Sequence, residues 1–242
     1  MERAQRALIM AAGFGQRMLP VTRKVPKPLV AVRGVRFIDN QIEALHRIGI
    51  TDIVVVIGHL KEQFYGLPDQ YPGVRLVENP DYDQGNNITS MYYARAYLDR
   101  PLLVLDGDIL INDLSAIDPE FSRTTYGCTW YENIPIEWVF DHDDDWRITK
   151  VHQNGGTGWT LRSISLWTKA DALRLRDQIT EAYEVQGLRS AYWDQVALDL
   201  HFGEYEIGIR RLRDADILEI DTFEELCQAD PFYIGKDNSY YE

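Results

Sequence analysis

Cysteine is nearly absent from this 242-residue chain, with only Cys128 and Cys227 present. Two thiols at that separation make neither a disulfide framework nor a metal-ligand spacing, and a reducing compartment is expected. Long apolar runs are also missing. No segment approaches the ~20 residues of a membrane span. The apolar stretch from Ala7 to Ala12 falls short of the ~7–15-residue core of a secretory signal. Basic residues are outnumbered, 25 Lys+Arg standing against 38 Asp+Glu for a formal net charge of −13. Nucleic-acid and anionic-membrane surfaces need clustered cations that release counterions, so the balance disfavours both, while a local basic pocket for a small anion stays open. No internal repeat, low-complexity segment or linker interrupts the chain. The expectation is a cytoplasmic protein acting on small molecules, with no nucleic-acid partner, no membrane insertion and no oligomeric state specified.

What is present, first, is an alternation. Residues 6–11 read as a buried strand ending at Gly13, and Phe37, Ile38, Gln41, Ile42, Leu45 and Ile48 recur at helical spacing with Gly49 as the stop. "DIVVVIG" (52–58) is a buried strand by its β-branched run. A short helical stretch from Lys61, a strand at 74–79, a helix at 87–98 and a strand at 101–108 follow. This order predicts a parallel sheet with right-handed crossovers. After residue 120 the pattern changes to short strands at 124–132, 137–142, 146–153 and 160–168, separated by turns such as "NGGTG" (154–158). Helices near 169–185 and 191–201, a strand at 205–212 and a closing segment at 216–226 complete the chain. The expected fold is one α/β domain over 1–242, with a Rossmann-like, mixed but mainly parallel sheet flanked by helices. Residues 1–120 form a nucleotide-binding half, 121–230 an elaborated acceptor-binding half, and 231–242 a tail.

"AAGFGQRMLPVTRKVPKPL" (11–29) follows the first strand. Gly13 and Gly15 permit positive φ and close backbone approach to an anion, although a lone glycine pair is equally a strand-to-helix corner. A dinucleotide turn needs a third glycine where Met18 stands, and an acid after the second strand where Gly58 and His59 stand. A Walker loop needs Gly-Lys-Ser/Thr where the chain has Gly15, Gln16 and Arg17. Arg17 remains, together with Lys27 held between Pro26 and Pro28, whose rings restrict the local backbone. An anion-binding turn with two fixed cations suits a triphosphate whose leaving group gathers charge.

Two later strands end in acids. "LDGDI" places Asp106 and Asp108, and "EIDT" places Glu219 and Asp221, where ligands of open α/β sheets collect. Such carboxylates can cage a hard cation whose remaining positions go to phosphate and water; Asp221, just before Thr222, is alternatively a helix cap. Asp106 and Glu219 are expected to point to the face opposite Asp108 and Asp221 unless a bulge or turn redirects them. Asn86, Asn87 and Ser90 precede or open a helix, and either read a pyrimidine or ribose or cap that helix. Trp138, Tyr192 and Trp193 lie in sequence near Glu137 and Asp194, and an aromatic face with nearby carboxylates is what a quaternary ammonium needs.

The run at 11–30, with its loop arginine and Pro-Lys-Pro element, resembles the signature of the nucleotidyltransferases that make NDP-sugars and CDP-alcohols. The resemblance extends along the whole chain through "LVENPDYDQGNNITSMYYA" (76–94), "VLDGDILI" (104–111), "EWVF" (137–140), "YWDQV" (192–196) and "LEIDTFEEL" (218–226). It runs strongest to the bacterial branch that acts on CTP and phosphocholine. It implies a magnesium-dependent transfer from CTP to a small phosphorylated amino-alcohol, with Arg17 and Lys27 catalytic and Asp108 and Asp221 holding Mg2+. It further implies Ala12, Gly13, Phe14, Gly15, Asn86, Asn87, Ser90 and Asp106 on the nucleotide, and Trp138, Tyr192, Asp194 and Glu219 on the acceptor, with Trp193 left to the core. One departure stands out: an arginine of that branch, seven residues before the tryptophan, is Tyr131 here, and Arg123, Arg147 and Lys150 are the nearby candidates to replace it. A sugar-1-phosphate nucleotidyltransferase and a catalytically silent nucleotide sensor are the alternatives.

Overall fold

The structure is a computed structural model that describes residues 1–236. Its centre is four parallel strands, β1 (Arg6–Ala11), β2 (Ile53–Ile57), β3 (Val74–Glu78) and β4 (Leu102–Asp106), in the spatial order β3-β2-β1-β4. All five residues of β2 are fully buried, as its unbroken β-branched run requires. Because side chains alternate across a strand, the two faces bury different sets. Ala7, Ile9, Val55 and Leu105 pack on Ile38, Ile42 and Leu45 of helix α1 (Phe37–Arg47). Leu8, Val54, Val56 and Val104 pack on Ile88, Met91 and Ala94 of helix α2 (Ile88–Ala94). Each Leu, Ile, Val or Met among them contributes about 1.5–3 kcal/mol by leaving water, so both helices are fixed by their apolar stripes.

The second half adds β5 (Thr125–Pro135), β6 (Val139–His142), β7 (Ile148–His152), β8 (Gly155–Trp167) and β9 (Gly208–Arg211) to the same nine-stranded sheet. Strand β8 pairs antiparallel with β5 along most of its length, while on its other edge its end pairs antiparallel with β4 and Trp159 and Thr160 pair with β6. Helix α3 (Lys169–Glu184) starts at Thr168, whose side chain accepts from Asp171 N, and buries Leu175 and Ile179 on the α2 side. Helix α4 (Phe223–Ala229) opens with a Thr222/Glu225 capping box. No helix among the described residues is long and apolar enough to cross a membrane.

Three local expectations change. Of the helix expected at 191–201 only residues 194–200 are helical, ending in a π turn over Val196–Leu200. The amides before it are taken elsewhere: Tyr192 N donates to Gln195 Oε1 at 2.8 Å and Trp193 N to Asn87 Oδ1 at 2.8 Å. Most of "NGGTG", expected as a turn, instead opens β8. Gly155 there has φ +73°, and a Cβ would lie 2.2 Å from Ile134 O, an approach that glycine alone allows. The glycine turn after β1 leads through short 3-10 turns, at Gln16–Met18, Val21–Arg23 and Lys27–Leu29, rather than into a helix. Of the tail, Pro231–Tyr233 form a 3-10 turn, and residues 237–242 lie outside the described residues.

Candidate active site

Between β1 and β4 the strand order reverses direction, and in open α/β sheets the crevice beyond the carboxyl ends at such a point collects ligands. A cavity of about 1310 Å³ occupies it here, and every residue expected to be catalytic or to bind nucleotide, metal or acceptor lines it. The loop after β1 forms one wall. Gly15 has φ +63°, and a Cβ there would meet Thr22 Cγ2 at 2.9 Å and Lys27 Cβ at 3.1 Å, so the loop lies directly on the lysine segment. Met18, in the place of a third glycine, is fully buried among Val21, Val30, Phe37, Ile220 and Leu226. This small core draws α4 and the residues before it against the glycine loop.

That packing decides the electrostatics. Lys27 is only 9% exposed, and its Nζ donates to Asp108 Oδ2 at 2.7 Å and to Asp221 Oδ1 at 3.0 Å. Burial by itself would lower the lysine pKa, but the two carboxylates outweigh it and the pKa is raised. The exposed Arg17 donates to Asp221 Oδ1 at 2.7 Å. The cap reading of Asp221 gives way, because Thr222 and Glu225 cap α4 and Asp221 supplies only its N–H, to Glu225 Oε2.

Gly107 stands between Asp106 and Asp108. Its N–H donates to Met10 O at 3.0 Å, and a Cβ would fall 2.8 Å from Pro28 Cγ. After the turn made there, Ile109–Ile111 pairs antiparallel with Ile217–Glu219. Asp106 and Asp108 are two residues apart, as are Glu219 and Asp221, a spacing that puts both acids of a strand end on one side. All four line the same cavity, which corrects the expectation of opposite faces. Burial and then the neighbouring charges of Asp108, Asp194 and Glu219 push the Asp106 carboxyl well up. Burial, followed by Asp108, pushes Glu219 up to about 7, with Arg162 and Ser163 acting in the opposite sense.

On the opposite wall, Asn87 Oδ1 accepts from Trp193 N, and Ser90 Oγ accepts from Asn79 Nδ2 at 2.9 Å. Neither forms a side-chain cap of α2, and Asn86 Oδ1 binds only the adjacent Asn87 N. The Asn87–Trp193 bond ties the start of α2 to the segment carrying Tyr192 and Asp194. Trp138 and the 52%-exposed Tyr192 face the cavity, and neither ring stacks on another aromatic ring among the described residues. Trp193 is buried against Tyr126 and Trp167, as expected.

Asp194 accepts from the buried Tyr126 hydroxyl at 2.9 Å, yet burial raises its pKa to about 7. An acid whose folded pKa is raised opposes folding once ionised, so its share of stability falls between pH ~4 and ~7 and is level above that. Asp194→Asn keeps an acceptor for Tyr126 and should raise the Tm of the ligand-free protein by about 5 °C at pH 8 and by far less at pH 4. Thermal scans at the two pH values check this, and equal shifts at both would contradict it.

Sequence reading missed Arg162 and Ser163. In the β5–β8 ladder Tyr126 pairs with Ser165 and Cys128 with Leu161, so residues 162–164 bulge opposite Gly127 alone. A bulge re-aims side chains, and Leu161, Arg162 and Ser163 all line the cavity. No strand pattern in the sequence announces the bulge. None of Arg123, Arg147 and Lys150 lines the cavity. Arg147 is tied to Asp143 in the β6–β7 turn, and Lys150 lies on the edge strand β7. The cation beside Tyr131 is Arg162, whose Nη1 donates to the tyrosine hydroxyl at 2.7 Å.

A hard cation suits the strand ends. Asp108 Oδ1 is buried without a hydrogen-bond partner, and Asp221 offers a second carboxylate beside it through the shared Lys27. No group of three or more such side chains among the described residues is disposed to enclose a metal unaided, so phosphate and water oxygens would complete the shell.

A switch-point loop that presents two cations to strand-end carboxylates is suited to holding and neutralising a chain of phosphates. Residues 7–123 match the MobA-like NTP transferase domain. The chain is 36% identical over 229 residues to the 2-aminoethylphosphonate cytidylyltransferase of Lancefieldella rimae, covering 94% of this chain and 93% of that one. It is 32% identical over 220 residues to the choline-phosphate cytidylyltransferase of Streptococcus pneumoniae, covering 91% and 94%. A solved structure of the CTP:phosphocholine cytidylyltransferase from Streptococcus pneumoniae matches with TM-score 0.88 over 96% of this chain and 99% of that one, at 32% identity. The chain belongs to this family of nucleotidyltransferases, among its cytidylyltransferases.

Proposed function

We propose that the protein transfers the cytidylyl group of CTP to a small acceptor that joins a phosphate or phosphonate to a cationic amine, releasing pyrophosphate. The observation that carries this reading is that Asp106, Asp194, Glu219, Trp138 and Tyr192 line one cavity together with the Lys27 cluster. Carboxylates and aromatic faces attract a cation, whereas a sugar phosphate offers hydroxyls to bind. Phosphocholine, the acceptor in one relative's name, and 2-aminoethylphosphonate, in another's, both have this form.

An oxygen of the acceptor's phosphate or phosphonate attacks the α-phosphorus of CTP, and the bond from that phosphorus to the bridging oxygen of the β-phosphate breaks. The attacking oxygen is already ionised at neutral pH, so alignment and charge neutralisation supply the rate. The backbone at 12–15 and Arg17 hold the triphosphate, with Asn86, Asn87 and Ser90 beside the nucleoside. Lys27 neutralises charge at the transferred group. Asp108 and Asp221 hold magnesium, which when bound neutralises phosphate charge. Asp194, Glu219, Trp138 and Tyr192 receive the acceptor's nitrogen.

Pyrophosphate release, measured with and without Mg2+, across CTP, UTP, dTTP and ATP with phosphocholine, phosphoethanolamine, 2-aminoethylphosphonate and glucose 1-phosphate tests the reading. Release is expected only with CTP, Mg2+ and an amine-bearing acceptor. Release confined to a sugar phosphate, or none at all, would reject it. Trp138→Ala should raise the acceptor KM by about tenfold or more while leaving that for CTP within about twofold. Equal effects on both would return Trp138 to a packing role.

A further inference from the structure

Three cations line the cavity among the described residues, and two of them, Arg17 and Lys27, converge on Asp221 at the loop end. The third, Arg162, comes from β8, with its side chain 14% exposed. Its Nη2 lies 3.2 Å from Glu219 Oε2, while Nη1 donates to the Tyr131 hydroxyl. That hydroxyl in turn donates to Asp214, and burial followed by this bond pushes its pKa up to about 12. Tyr131 therefore stays a neutral phenol whose lone pair accepts from Arg162, and it does so from outside the cavity lining. The arginine Nε–H is buried and has no partner, an arrangement that costs about 1–3 kcal/mol unless something accepts from it.

Neutralising Glu219 accounts for one edge of the guanidinium and leaves Nε unexplained. It also leaves unexplained a bulge that turns Arg162 and Ser163 inward together. A planar fork with a spare donor, held by Tyr131 and lining a carboxylate-rich cavity, matches a tetrahedral oxyanion. We propose that Arg162 binds the phosphate or phosphonate of the acceptor, anchoring its anionic end while the cavity's acids and aromatic faces take its nitrogen, with Tyr131 as the positioning residue. This rests on the proposed cytidylyl transfer.

The test compares wild type and Arg162→Ala in steady-state assays with CTP and the acceptor that turns over in the matrix above. The acceptor KM should rise about 50-fold, the CTP KM should stay within about twofold, and guanidinium ion in the buffer should restore part of the loss. Inhibition by choline or ethanolamine, which carry the nitrogen without the anion, should stay within about threefold of wild type. An unchanged acceptor KM, a matching rise in the CTP KM, absence of guanidinium rescue or a parallel loss of amine inhibition would each overturn the assignment. The last would show Arg162 acting only through Glu219. Arg162→Lys, which keeps the charge but not the fork, should fall between wild type and Arg162→Ala; acceptor binding by this variant equal to wild type would likewise overturn a fork-specific role. A silent wild-type protein would reject the transfer reaction itself, whereas an active wild type with an unaffected variant would reject this assignment alone.

Discussion

Asp108→Asn should lower kcat by about a thousandfold while the protein stays folded. The substitution is nearly isosteric and keeps an oxygen that can accept from Lys27 Nζ, now 2.7 Å from Oδ2. Tm should therefore shift by only about 3 °C. What is lost is the negative charge on a side chain whose Oδ1 is buried without a partner at the mouth of the cation cluster. In the proposed reaction that carboxylate holds the hard cation that neutralises phosphate charge, so the defect should fall on kcat more than on either KM. Single-turnover rates, Mg2+ titrations and thermal scans on the same preparation check it. Turnover within about tenfold of wild type would remove Asp108 from the metal site.

Lys27→Met should be severe in a different way, losing stability as well as turnover. Methionine fills the stem of the buried side chain but leaves Asp108 and Asp221 facing one another without the ammonium between them. Removing one partner of a buried ion pair costs about 3–5 kcal/mol, which for a chain of this size is a fall in Tm of about 10 °C. Asp221 retains Arg17, which sets the lower end of that range. Because the folded pKa of Lys27 is raised, the cluster's contribution is complete below the ordinary lysine value and is lost as pH rises through the folded one. The Tm gap between wild type and Lys27→Met should thus close in strongly alkaline solution. Added Mg2+ should restore part of the variant's Tm, since a divalent cation can replace the missing charge between the carboxylates, but not its kcat. A variant as stable and as active as wild type would place Lys27 outside both roles.

The same cluster marks how far the chain can be read without its fold. Gly13, Gly15, Arg17 and Lys27 were legible because a strand, a glycine turn and a proline-flanked lysine are contiguous, and local backbone preferences act over that range. Asp108 and Asp221 were legible as strand ends for the same reason. That Lys27 bridges them was not, since it depends on Met18, Ile220 and Leu226 sharing one small core. The expectation that Asp106 and Glu219 face away failed because residues two apart on a strand share a side, and all four acids line the cavity. The expected helix at 191–201 failed where Asn87 and Gln195 took the amides it needed.

By itself the sequence determined the parallel α/β frame, the identity of the loop and the acids at two strand ends, because hydrophobic period and turn chemistry are properties of neighbouring residues. Only the tertiary structure decided which charges meet. The bulge at 162–164, and with it the position of Arg162 against Tyr131 and Glu219, arises from the register of two strands pairing across the sheet. Register follows from which residues each face must bury, and a bulge that re-aims side chains is fixed only once the partner strand is in place.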